Sequence, residues 1–169
     1  MSEASSAEVR AGLERNLRRL WRNALLLSKD PDVAEDLVQA TCLRAIERAD
    51  QYTPGTRLDR WLSVILQSIW RNEVRAGRIR QGEGCIDSEK ALIFDGARDL
   101  ETNIFAAEVL KAISQLPGAH RETVLLVYGE GYSYAEAANF LGIPIGTVMS
   151  RLAKARSTLA NLREEAGGY

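Results

Sequence analysis

The chain carries only two cysteines, one histidine and four prolines in 169 residues. Cys42 and Cys85 form neither a metal-spaced pair nor a disulfide framework, so a secreted cysteine scaffold is excluded and a reducing cytoplasm is the expected compartment. His120 is the single histidine, and any Ser/His/Asp or Cys/His nucleophilic arrangement would have to be built on it. It stands just ahead of an expected helix, where a polar surface role suits it. No run of about 18 apolar residues occurs, which excludes a membrane-spanning helix. The opening MSEASSAEVRAGLERN has no apolar signal core, so secretion is not expected. Alternating β-branched stretches are missing, and with them the signal for strands. So is the phosphate-loop pattern G-x-x-x-x-G-K-[ST]; Gly129-Glu130-Gly131 reads instead as a helix-ending turn. The carboxylates are scattered along amphipathic helices as solvated faces. Together these absences point away from an enzyme, a metal site or a cofactor.

What is present is apolar periodicity at helical spacing throughout, and 46% hydrophobic residues to build cores from. The expected fold is all-α. A first helix is expected over about 7–27, offering Leu13, Leu17, Leu20, Trp21, Ala24 and Leu27 to a core. A second runs over about 31–49, with Asp30 as N-cap and Pro31 at its first position. Its stripe is Ala34, Leu37, Val38, Thr41, Cys42, Ala45, Ile46 and Ala49, which makes Cys42 a small core residue. Asp36, Gln39 and Leu43 lie off that stripe and share a separate face; a leucine there needs a second packing neighbour or a partner protein. The turn QYTPGT follows, then a third helix from about residue 57 to 75 with Leu58, Trp61, Leu62, Ile65 and Ile69 inward and Trp70 sealing the edge. Arg71, Arg75 and Arg78 project together on another side. Residues 77–99 are glycine-rich and lose periodicity, the mark of a linker with at most a short helical turn near Lys90–Phe94. Phe105, Val109, Ala112, Ile113 and Leu116 then mark a helix ending before Pro117, and another is expected near His120–Tyr128. The result is two small helical domains, 1–80 and 100–169, joined by a flexible linker at 81–99.

The stretch SYAEAANFLGIPIGTVMSRL, Ser133–Leu152, is the most specific local signal. Ser133 and Glu136 have the spacing of a capping box, Gly142 suits a left-handed helix end, and Pro144 can open the next helix. Beyond it Val148, Leu152, Ala155, Leu159 and Leu162 form one apolar stripe. Arg151, Lys154, Arg156 and Arg163 are basic, and no acid lies between Glu136 and Glu164. This is the layout of a helix-turn-helix whose second helix can enter a DNA major groove. A net charge of −1 argues against a generic polyanion binder, but its distribution is uneven. KDPDVAED at 29–36 is acidic, while Arg71, Arg75, Arg78 and Arg80 enclose only Glu73. One protein partner plus DNA fits that pattern.

Two separated segments resemble one family. DPDVAEDLVQATCLRAI followed by YTPGTRLDRWL closely resembles region 2 of bacterial extracytoplasmic-function (ECF) sigma factors, and LPGAHRETVLLVYGEGYSYAEAANFLGIPIGTVMSRLAKAR resembles their region 4. The resemblance implies a protein that binds core RNA polymerase, at the clamp helices of the largest subunits and at the flap region, and directs it to promoter DNA. Asp36, Gln39 and Leu43 match polymerase-docking positions. Tyr52, Thr53, Arg57, Trp61, Ser68, Arg71, Arg75 and Arg78 fall where the family recognises and melts the minus-ten element and captures an extruded base. Pro144, Thr147, Met149, Ser150, Arg151 and Lys154 fall at or near its minus-thirty-five reading face. Met149 stands where a lysine or arginine is usual, and Gln67, Ser68 and Asn72 replace a common R-N…D pattern. Sequestration by an anti-sigma factor is implied as well. A stand-alone helix-turn-helix regulator, and a helical adaptor or decoy that no longer binds DNA, are the alternative readings.

Overall fold

A computed structural model describes residues 3–77 and 109–166, with side chains to residue 161. Every regular element among the described residues is helical, in two compact units spanning 1–84 and 85–169. The expected linker at 81–99, Arg78, Arg80, Cys85, the turn at Lys90–Phe94 and Phe105 lie outside the described residues. Among the described residues no helix is long and apolar enough to cross a membrane.

The first unit is built on α1 (Glu3–Ser28), α2 (Pro31–Glu47) and α3 (Leu58–Arg75), all mutually packed. α1 begins several residues earlier than its apolar periodicity suggests, because Ser5 and Val9 are also buried against the rest of the unit. Its core side is Val9, Leu20, Ala24, Leu25, Leu26 and Leu27, while Leu17, expected inside, is 37% exposed. Asp30 caps α2 as its sequence predicts, its carboxylate accepting from the backbone N–H of Asp32 at 2.9 Å and Val33 at 3.2 Å. α2 ends at Glu47 and tightens into a single 3₁₀ turn, Ala49–Gln51. Ile46, next to last in α2, is exposed, while Ala49 in the 3₁₀ turn is buried. In α3, Leu62, Ile65, Leu66, Ile69 and Trp70 are buried, and Trp70 seals the core.

The second unit begins, in its described part, with helical residues 109–114, whose end is held from inside. Arg121 is buried, and its Nη1 donates to the carbonyls of Ser114 and Leu116, each at 3.1 Å. A guanidinium there satisfies carbonyls that the helix end leaves without partners. α4 (Gly118–Val124) contains His120 and runs into a wider π turn, Leu125–Gly129, closed by Glu130 N–H on the Leu125 carbonyl at 2.9 Å. The helix-turn-helix follows as α5 (Tyr134–Leu141) and α6 (Ile145–Ala166).

Both halves of the capping box at the start of α5 are formed: Ser133 N–H donates to Glu136 Oε2 at 2.8 Å, and Glu136 N–H to Ser133 Oγ at 3.2 Å. Gly142 ends α5 at φ 67°, and Ile143 N–H reaches back to the Ala138 carbonyl at 3.1 Å. A β-carbon in that left-handed position would be strained, so glycine is the residue that lets the chain turn there. Pro144 sits one residue before α6 rather than at its first position, and its carbonyl accepts the first helical bonds, from Thr147 and Val148. Val148, Leu152 and Ala155 are fully buried, Leu159 is half-buried, and α6 packs on α4 and α5.

Ser133→Ala removes one half of the capping box and is expected to destabilise α5 by about 1 kcal/mol. Amide exchange across α5 in the intact protein reads this directly, as roughly fivefold faster exchange.

Candidate nucleic-acid and protein interfaces

Helical geometry, with one stripe committed inward, fixes what each unit presents. On α2, Ala34, Leu37, Val38, Thr41 and Ala45 are buried. Asp36, Gln39 and Leu43 therefore stand outside together, as their spacing predicts. Leu43 is 60% exposed, the largest exposure among the large apolar residues of the described chain. Ile46, expected in the core, extends the apolar part of this face instead. The Gln39 amide lies 3.4 Å from Glu35 Oε1, a weak contact that leaves it able to turn to a partner. Cys42 is half-buried beside this face, and burial pushes its thiol pKa up, away from thiolate reactivity.

The turn between the 3₁₀ segment and α3 differs most from its sequence reading. Tyr52 is 2% exposed, so its ring is no open platform for a base. The ring lies 5.3 Å from that of Trp61, tilted by 50°. Its hydroxyl sits 2.8 Å from Glu8 Oε1 and 2.9 Å from the Thr56 carbonyl, and its own carbonyl accepts from Ser5 Oγ at 3.1 Å. The same Glu8 carboxylate accepts from the backbone N–H of Gly55 at 3.1 Å. Burial first, and then Glu8, raise the Tyr52 pKa and keep the hydroxyl protonated. Residues from the first turns of α1 thus hold the turn from beneath. What faces outward is Thr53, Pro54, Gly55, Thr56 and Arg57. Nothing in the local sequence signals this, because Glu8 and Tyr52 are far apart in the chain and meet only when α1 folds back on the turn.

The remaining residues of this face are placed as follows. Arg57 is exposed and pairs with Asp59, Nη2 to Oδ2 at 2.9 Å, and Arg19 of α1 also bonds that carboxylate. The hydrogen bond from Arg57, with that from Arg19, holds the Asp59 carboxyl well below the usual carboxylate range. Trp61 is half-buried against Tyr52. Ser68 is half-buried and spends its hydroxyl proton on the Val64 carbonyl at 2.7 Å, so it retains only acceptor capacity toward a ligand. Gln67 is buried rather than facing outward. Arg71 is half-buried and Arg75 exposed at the end of α3.

On the helix-turn-helix, the predicted residues lie at the entrance of α6 and outside its buried stripe. Pro144, Met149, Ser150 and Lys154 are exposed; Thr147 and Arg151 are half-buried. Ser150 Oγ donates to the Thr147 carbonyl at 3.0 Å. His120 of α4 lies close enough to α6 that, after burial itself, the charges of Arg151 and Lys154 lower its pKa. The imidazole is thereby kept neutral beside a positive surface. Ile145, not singled out by sequence, is also exposed at the start of α6. It lies just outside the buried stripe of Val148, Leu152 and Ala155.

Against known proteins, residues 13–79 match the family model for sigma-70 region 2, and residues 106–159 that for sigma-70 region 4. The chain is 37% identical over 139 residues to the ECF RNA polymerase sigma factor EcfG of Rhodopseudomonas palustris, covering 82% of this chain and 76% of that protein. It is 32% identical over 165 residues to the ECF RNA polymerase sigma factor SigL of Mycobacterium tuberculosis, covering 97% and 93%. Among solved structures, it resembles the sigma factor RpoE of Bartonella quintana, crystallised in complex with the anti-sigma factor NepR. The TM-score is 0.65 at 30% identity, over 92% of this chain and 96% of that one.

Glu8→Ala is expected to loosen the Tyr52–Thr56 turn and to destabilise the first unit by about 1–2 kcal/mol, while Glu8→Gln, which keeps an acceptor oxygen, costs less. All three tryptophans, Trp21, Trp61 and Trp70, lie in the first unit, so tryptophan fluorescence in a urea titration of the full protein isolates this transition.

Proposed function

This chain belongs to the extracytoplasmic-function sigma factors of bacterial RNA polymerase, and we propose on that premise how its surfaces divide the work of starting transcription. The first unit docks on core polymerase through Asp36, Gln39 and Leu43 of α2. The observation that carries this is Leu43, an apolar side chain 60% exposed and flanked by polar groups on a helix whose opposite face is already buried. An apolar anchor inside a polar rim is the arrangement in which a few residues supply most of an interface's affinity.

The same unit recognises the melted minus-ten strand beside the docking face. Thr53 and Arg57 on the turn, Trp61 and Ser68 on α3, and the basic end of α3 with Arg71 and Arg75 contribute, together with Arg78, which follows in the sequence beyond the described residues. The turn does so through its exposed backbone and side chains, with Tyr52 as the buried post that holds it rather than as a stacking surface. An extruded base needs a rigid receptor, since ordering the receptor on binding would consume part of the affinity. The cationic end of α3 suits the single-strand backbone.

The second unit reads the minus-thirty-five element as duplex through α6, with Thr147, Met149, Ser150, Arg151 and Lys154 toward the groove and Pro144 at the helix entrance. The support is a formed helix-turn-helix whose recognition helix is basic and free of acids from residue 137 to 163. Lys154, exposed and flexible, suits guanine acceptors in the major groove.

Control is by an anti-sigma factor that covers these exposed faces while the protein is idle. The Bartonella quintana relative is seen in complex with one, and both units here leave large apolar side chains on the surface.

Run-off transcription with core polymerase tests the reading. The protein with core is expected to transcribe from promoters near its own gene, and core alone is not; equal output with and without the protein would refute it. Leu43→Ala, at an exposed position that does not burden folding, should weaken core binding by at least tenfold in a fluorescence titration.

A further inference from the structure

The proposed groove-reading helix carries two side chains that are wrong for phosphate or for a hydrogen-bond code. Ile145 is 48% exposed and Met149 is 52% exposed. They stand four residues apart, one above the other on the same side of α6, just outside the buried stripe of Val148, Leu152 and Ala155. Large apolar side chains left out of the core of a DNA-facing helix call for an apolar counterpart.

Duplex DNA offers one. Among the base edges in the major groove, the only apolar group is the C5-methyl of thymine. Four residues of helix rise about 6 Å, and successive bases on one strand are about 3.4 Å apart along the axis, so the two side chains span neighbouring or next-neighbouring bases. Methionine, unbranched and polarisable, adapts to a methyl whose position shifts with groove width. Charge selects DNA over an apolar protein surface as the occupant. On the same side of α6, two turns beyond Met149, Arg156 is exposed and donates to the Tyr128 hydroxyl at 3.0 Å. It adds positive charge to this side of the helix, and no acid intervenes anywhere along this stretch. Between the pair, Gly146 has open space where a β-carbon would stand, with nothing within 4 Å, so the first turn of α6 can approach the DNA closely.

We propose that Ile145 and Met149 form a methyl-reading edge of α6 that selects thymine in the minus-thirty-five element, opposite in character to the hydrogen-bonding edge at Lys154. This rests on the promoter-reading role of the second unit and adds to it a base preference and the atoms that set it.

The test starts from a promoter library with a randomised minus-thirty-five region, transcribed by core polymerase carrying the full protein, with the transcribed members sequenced. The enriched element is then remade with each thymine replaced in turn by deoxyuridine, which deletes the methyl and leaves every hydrogen-bonding group. At one or two thymines, transcription at limiting holoenzyme should fall about fourfold, the value of burying one carbon group. In the Ile145→Ala/Met149→Ala double variant, thymine and uracil at those positions should become equivalent, and Met149→Leu should restore part of the difference. Both residues are exposed, so these changes do not threaten the core. An enriched element with no methyl-sensitive thymine overturns the proposal, as does a thymine preference that persists in the double variant. Loss of core-polymerase binding in the double variant, with base preference intact, also overturns it and assigns the edge to a protein. No transcription from any library member refutes the parent reading, and this one with it.

Discussion

A helix that commits one stripe to a core has no freedom left in how it presents its other sides, and both surfaces of this protein follow from that constraint. Most helical stability in folded proteins comes from packing of an apolar stripe, and each described unit supplies such stripes. Burying Ala34, Leu37, Val38, Thr41 and Ala45 turns Asp36, Gln39 and Leu43 outward. Burying Val148, Leu152 and Ala155 turns Met149, Ser150 and Lys154 outward. The second case depends on one further element, the left-handed Gly142, because the direction in which α6 leaves α5 decides which of its sides meets the core. Fold and function are coupled through register, so a slip of one residue in either helix would exchange a core side chain for a contact residue.

Local rules made much of this legible in the sequence. Asp30 as a cap, the Ser133–Glu136 box, Gly142 as a helix end and the outward placement of Asp36, Gln39 and Leu43 each depend on residues within a few positions of one another. What stayed hidden depends on distant partners. Tyr52 stands in a turn whose sequence points to a ligand, yet α1 returns to place Glu8 and Ser5 against it. Leu17 and Ile46 continue apolar stripes on paper, but both stand exposed, because which side of a helix is covered depends on the neighbouring helices. Arg121 and Glu130 are charged residues that are buried, Arg121 where two carbonyls at the end of the preceding helical segment accept its protons. Periodicity cannot anticipate a buried charge, since its stability comes from a partner rather than from its own hydrophobicity.

Tyr52 also changes the picture of how the turn meets DNA. A base-capturing site built on an exposed aromatic would have to order that ring at the moment of binding. Here the ring is already packed on Trp61, and its hydroxyl is tied to α1. The turn is held in place before any ligand arrives, and in the proposed reading its exposed atoms supply the specificity. The recognition helix follows a similar economy. Ser150 turns its hydroxyl proton back to the helix, and His120 stays neutral beside Arg151 and Lys154, so the cationic and apolar edges define the surface.

A net charge of −1 is compatible with a recognition helix that, in the proposed reading, does not hold DNA by itself. In the proposed division of work, the second unit contributes selection and the docked polymerase supplies most of the grip. The most direct measurement is binding of one promoter fragment, at one fixed salt concentration, by the free protein and by the protein assembled with core polymerase. Weak, poorly selective binding by the free protein, and tight, promoter-specific binding by the assembly, is the predicted result. Tight and specific binding of the duplex by the free protein would contradict the account and favour a stand-alone regulator.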